Sequence, residues 1–168
     1  MARTSIVRRA AIGLSLPAAA GALILSATAA SATSPHFVRA SDSVNNAGSL
    51  VVSFKEAGLG NNQLISYTSH ANATAVYACI NGGGNHPRAA NKETVSGPVS
   101  ASGTFSSGQN GQISQSLTAG PPGPGSFSCP PGQRLELASV SYTGVSITDT
   151  TNSTTENLAN VSRTFFNV

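Results

Sequence analysis

Leu50, Val52 and Phe54 lie on one side of an extended chain, and Val51, Ser53 and Lys55 lie on the other. This period of two belongs to a strand with one face in a core. The alternation recurs in shorter form along much of the sequence. Nowhere does a 3.6-residue period persist long enough to make an amphipathic helix, so the chain is expected to be all-β. Phe37–Val44 and Ser49–Glu56 read as a hairpin closed by Asn45-Asn46-Ala47-Gly48. Leu64–His70 resumes after Gly58–Asn62, and a tight turn at Ala71-Asn72 is expected to lead into a second strand that ends at Ile80.

Glu93–Ala101 reads as a further strand, with Gly97-Pro98 marking an edge or a bulge. Asn110-Gly111 between Thr104–Ser106 and Ile113–Leu117 predicts a hairpin. Arg134–Thr148 is the longest strand-like run, and its phase slips twice. Leu135 and Leu137 share one parity, Val140 and Tyr142 take the other, and Val145 and Ile147 return to the first. Two bulges are implied, the second at Gly144, or else a sharp bend. Thr154–Leu158 and Val161–Val168 complete the pattern. Eight or nine short strands separated by turn signals predict a single-domain two-sheet β-sandwich with Greek-key, immunoglobulin-like connections, with a small closed β-barrel as the alternative.

Upstream of these strands, Arg3, Arg8 and Arg9 precede an apolar run from about Ala10 to Leu25, and Ala30-Ser31-Ala32 offers an A-x-A cleavage site. Residues 1–32 are read as a secretory signal peptide cut after Ala32, or alternatively after Ala29, leaving residues 33–168 as the domain. The run is shorter than a membrane-spanning helix needs. The protein is therefore expected outside the cell, with no membrane attachment once the signal is cleaved. Its removal also changes the charge. The whole chain has nine basic and six acidic residues, but Arg39, Lys55, Arg88, Lys92, Arg134 and Arg163 alone balance Asp42, Glu56, Glu93, Glu136, Asp149 and Glu156. A neutral domain lacks the basic stripe that nucleic-acid binding requires.

Cys79 and Cys129 are the two cysteines, and export would deliver them to an oxidising environment, so one disulfide is expected. Cys79 ends the strand Thr74–Ile80, and behind it Asn81-Gly82-Gly83-Gly84-Asn85-His86-Pro87 forms a glycine-rich loop. Consecutive glycines permit backbone angles that other residues avoid, the asparagines tolerate them, and Pro87 fixes the exit. Asn81, Asn85, His86 and Arg88 form the candidate binding loop, since they offer donors and acceptors suited to sugars or peptide backbone. Tyr67, Tyr77 and Tyr142 would add to such a surface if exposed.

The pattern Tyr77-x-Cys79-x-Asn81-Gly82-Gly83-Gly84-Asn85-x-Pro87, with Pro124-Gly125-Ser126-Phe127-Ser128-Cys129-Pro130, resembles small exported proteins of actinobacteria. That resemblance implies secretion and bacterial origin and carries no assigned activity.

The sequence holds little conventional reactive chemistry. His36, His70 and His86 have no close metal-ligand spacing. Neither G-x-S-x-G nor S-x-x-K occurs, and the glycine loop lacks the Lys-Ser/Thr signature of a phosphate cradle. No cofactor motif is present. Glu56 and Glu93 border glycine-rich segments and read as solvated strand ends. The expected role is a secreted, non-enzymatic binding protein whose partner is a cell-wall or extracellular polymer or protein. The alternatives are a hydrolase with an unrecognised site and a protease inhibitor using the disulfide-anchored Gly120–Pro131 loop.

Overall fold

A computed structural model describes residues 34–81 and 91–168. Residues 1–32, expected to be a signal peptide, and most of the glycine loop lie outside them. The described chain forms β1 (His36–Val44), β2 (Leu50–Ala57), β3 (Leu64–Asn81), β4 (Lys92–Ser106), β5 (Ile113–Ala119), β6 (Gln133–Asp149), β7 (Thr154–Asn157) and β8 (Val161–Thr164). One sheet has the order β1-β2-β5. The other has the order β4-β3-β6-β7, with β8 also paired to β6. Every pairing is antiparallel. The two sheets pack face to face as a sandwich, and among the described residues no ladder closes them into a barrel. None of the described residues forms a helix long and apolar enough to cross a membrane.

The alternation in β2 sets the inner face. Leu50, Val52 and Phe54 are buried there with Ile113 and Leu117 of β5, opposite Ile65, Ala71, Ala73, Val140 and Ile147. Phe37, Phe54, Tyr67 and Phe105 form an aromatic group across the sheets, with the Phe54 and Tyr67 rings 4.5 Å apart. Each such side chain taken out of water contributes about 1.5–3 kcal/mol.

Both phase slips in β6 are present. Val76 and Tyr77 oppose Ser139 and Leu137, so Ala138 is the extra residue there. His70 and Asn72 oppose Ser146 and Thr143, which places the second bulge at Gly144-Val145. Gly144 has φ +60°, a conformation that glycine adopts without strain.

Three sequence expectations differ from the structure. The turn at Ala71-Asn72 does not form, and β3 runs unbroken for 18 residues. Ala71 and Ala73 both bury against the facing sheet, and the irregularity is taken up by the bulge in β6 instead. Glu93–Ala101 and Thr104–Ser106 are one strand, β4, paired continuously with β3. It is an edge strand, as Gly97-Pro98 suggested, and a residue without N–H is tolerated there.

The Asn110-Gly111 segment does not close a hairpin, because β4 pairs with β3 and β5 pairs with β2. The segment carries the chain between the sheets, and it is stitched to another crossing loop, which links β2 to β3. Leu59 N donates to Gly111 O, Gln63 N donates to Ser107 Oγ at 2.9 Å, and Ser107 Oγ donates to Gly60 O at 2.6 Å. These bonds allow Ser107 to be buried. A local turn signal therefore yields to the apolar faces of Phe105, Ile113 and Leu117, which can be buried only on two different sheets.

At the opposite end, the β1–β2 turn docks onto β6. Buried Tyr142 Oη donates to Gly48 O at 2.6 Å. Tyr142→Phe leaves that carbonyl buried and unpaired, which costs about 1–2 kcal/mol. Urea denaturation is expected to show the corresponding fall in midpoint with an unchanged slope.

Candidate functional site

Of the predicted loop residues, only Asn81 lies among the described residues. It is the exposed last residue of β3, opposite Gln133. Asn85, His86 and Arg88 fall outside them. The base of the loop is nonetheless well defined. Cys79 bonds to Cys129 with Cα atoms 5.5 Å apart, Cys79 N donates to Asn91 O, and Tyr77 Oη donates to Pro122 O at 2.9 Å. The sulfur bridge and this hydroxyl hold the proline-rich segment against the end of β3.

The tyrosines do not form a recognition surface. Tyr67 and Tyr142 are fully buried and Tyr77 is half-buried, so a flat aromatic platform is absent among the described residues. Inward parity decides this, since each falls on the apolar side of its strand. His36 begins β1 and His70 lies mid-way along β3, in different sheets. The described residues contain no group of three metal-ligating side chains.

Glu56 is not a solvated strand end. It is completely buried, as is Asp149 at the end of β6, and Tyr67 is 1% exposed. Pairing explains the cluster. Tyr67 lies opposite Asp149 in one sheet, and Glu56 reaches inward from the facing sheet. Asp149 is well served: Oδ1 accepts from Thr151 N and Asn152 N, and Oδ2 accepts from Asn152 Nδ2 at 2.6 Å. Neither Glu56 oxygen, nor the Tyr67 hydroxyl, makes a hydrogen bond of good geometry.

Burial pushes the Glu56 carboxyl up from 4.5 to about 7. The Tyr67 hydroxyl beside it pulls the other way, the Asp149 charge reinforces the rise, and the charge of His36 opposes it. Tyr67 is raised as well, chiefly by burial, and remains a hydroxyl. Two neighbouring carboxyls can in principle serve acid–base hydrolysis. Here they are sealed in the core, where no substrate reaches them.

One accessible polar surface is the outer face of the five-stranded sheet. Outward positions alternate as Ser66, Thr68, His70, Asn72 and Thr74 on β3, and as Thr94, Ser96, Ser100, Ser102 and Thr104 on β4. The strand register pairs their hydroxyls. Ser66 bonds to Thr104 at 2.9 Å, Thr68 to Ser102 at 2.8 Å, Thr74 to Ser96 at 2.9 Å, and across the sheet Thr148 of β6 to Thr155 of β7 at 3.0 Å. Each hydroxyl has one donor and two acceptor sites, so a single cross-strand bond leaves capacity directed outward.

Strands about 4.8 Å apart, with same-face residues about 7 Å apart along each, set out these groups as a regular array. Lys92, Arg134 and Glu136 gather at the disulfide end of the sheet, where Arg134 and Glu136 pair at 2.9 Å. The array was signalled by serine or threonine at most alternate positions of β4, interrupted at Pro98. It becomes a surface only once β3 is known to be unbroken and β4 to lie beside it.

Comparison with protein-family models, with curated proteins and with solved structures finds no match to this chain.

Proposed function

We propose that this chain is an exported, non-catalytic binding protein. In this reading it meets a neutral, polyhydroxylated polymer at or outside the cell envelope through the outer face of its five-stranded sheet. The observation that carries the proposal is the ladder of hydroxyl pairs between β3 and β4. Paired side chains have already lost rotamer freedom, so a ligand that bonds to them pays less ordering entropy. Hydroxyls that both donate and accept match the hydroxyls of a polysaccharide without requiring charge. Export rests on the signal-like N-terminus, and the Cys79–Cys129 bond agrees with an oxidising destination.

Retention of the protein on insoluble cell-wall glycan, chitin and β-glucan, read by co-sedimentation, tests this. Thr68→Lys with Thr74→Lys places two bulky cations on the array without touching the core. At least tenfold weaker retention is expected, with an unchanged melting profile. The proposal is lost if none of these polymers retains the protein, or if the double variant is retained equally well.

A further inference from the structure

The three-stranded sheet has a different outer face. The acids of its strands, Asp42 and Glu56, lie on the inward side, Asp42 half-buried and Glu56 fully buried. Its cations, Arg39 and Lys55, lie on the outward side. The register places Arg39 directly opposite Lys55, and among the described residues neither forms an ion pair. Like charges facing each other across strands are destabilising. In a chain this poor in charge, two of the few cations stand together with no carboxylate on their face.

Beside them the next row is Ser41, Ser53 and Ser116 in register across all three strands, and Ser114 lies opposite Lys55. Small side chains in the middle of the face leave a shallow dish of about 480 Å³ bordered by Arg39.

We infer that this dish is a second binding site, taking an oxyanion, carboxylate or phosphate, borne on a hydroxyl-rich chain. The planar Arg39 guanidinium can hold such an oxyanion by two parallel bonds. Lys55 stands outside the residues that line the dish but opposite Arg39 on the same face, so it adds a compact charge to the local field, and the serine row meets the hydroxyls that flank the anion. The like-charge pair then has a use, because a bound anion removes the repulsion between its members. This site lies on the opposite side of the sandwich from the hydroxyl array, and it stands whether or not that array binds anything.

Binding of the protein to soluble polyuronate, poly(glycerol phosphate) and uncharged dextran, measured by calorimetry at low and moderate salt, is the test. Affinity for one or both charged polymers is expected, falling as salt rises, with none for dextran. Arg39→Gln with Lys55→Gln is expected to weaken charged-polymer binding at least tenfold and to leave the melting temperature unchanged or slightly higher. Thr68→Lys with Thr74→Lys is expected to leave the dish competent, which separates this site from the hydroxyl array. Binding to polyuronate alone assigns a carboxylate, to poly(glycerol phosphate) alone a phosphate, and to both the shared oxyanion. Absence of binding to either polymer, or equal binding by the Arg39/Lys55 double variant, overturns the inference.

Discussion

Glu56→Gln is expected to stabilise the protein at pH 8 and to remove most of a pH dependence that the parent shows between pH 4.5 and 7. The Glu56 carboxyl sits at about 7 in the folded chain against 4.5 for its ordinary value. Between these values the native state holds a proton that the unfolded state has released, so stability falls as pH rises through the interval. Below 4.5 both states are protonated, and the stabilisation is fully present. Above 7 both are ionised, and the loss is complete. At about 1.4 kcal/mol per pH unit, the loss is on the order of 3–4 kcal/mol, or roughly 10–15 °C in melting temperature.

Three ionisable groups face this carboxyl: Tyr67 from β3, Asp149 from β6 and His36 from β1. Glutamine keeps the shape of the protonated acid without ever taking charge. Melting curves of parent and variant across pH 4–9 give the answer as a difference, which cancels the Asp42 carboxyl on β1, itself raised by burial. Parallel pH profiles, or a variant less stable than the parent at pH 8, would show that the carboxylate is not strained.

How much of this was visible in the sequence depends on the reach of each signal. The inner face of β2 follows from three alternating residues, and the two bulges of β6 follow from parity alone, since a slipped phase can be buried only if the strand gains a residue. The disulfide follows from two cysteines and the oxidising compartment expected for them. Partner choice between strands was less legible. Asn110-Gly111 has the chemistry of a tight reversal, but nothing near it says that Phe105 and Ile113 belong to different sheets.

Glu56 was misread for a related reason. Glycines after it suggested an exposed end, yet it continues the inward parity of Leu50, Val52 and Phe54. The parity was the better guide, and a glutamate on the apolar side of a strand was the available signal. The hydroxyl array and the Arg39–Lys55 pair depend on register between strands distant in sequence, so neither could be assembled from local pattern.

Replacing Cys79 and Cys129 together by alanine tests how far the sandwich depends on its covalent tie. The bridge closes a separation of 50 residues, from the end of β3 to the segment just before β6. In the chain-entropy account, releasing a loop of this size from the unfolded state costs about 4 kcal/mol, or roughly 15 °C in melting temperature. Alanine is the right replacement because Cys79 is 1% exposed and a serine hydroxyl there would need a partner.

The effect is expected to be structurally lopsided. β3 and β6 remain paired along most of their length, whereas the proline-rich segment keeps one described side-chain bond to the sheet, from Tyr77 to Pro122. Hydrogen exchange should therefore rise first at Tyr77–Asn81 and Gln133–Leu137, with the acid end around Tyr67 and Asp149 holding its protection. A melting temperature within about 1 °C of the parent would mean that the native packing at that end, not the restriction of the unfolded chain, determines how much the bond matters. Loss of protection spread evenly over both sheets would mean that the sandwich unfolds as one cooperative unit with no weaker end.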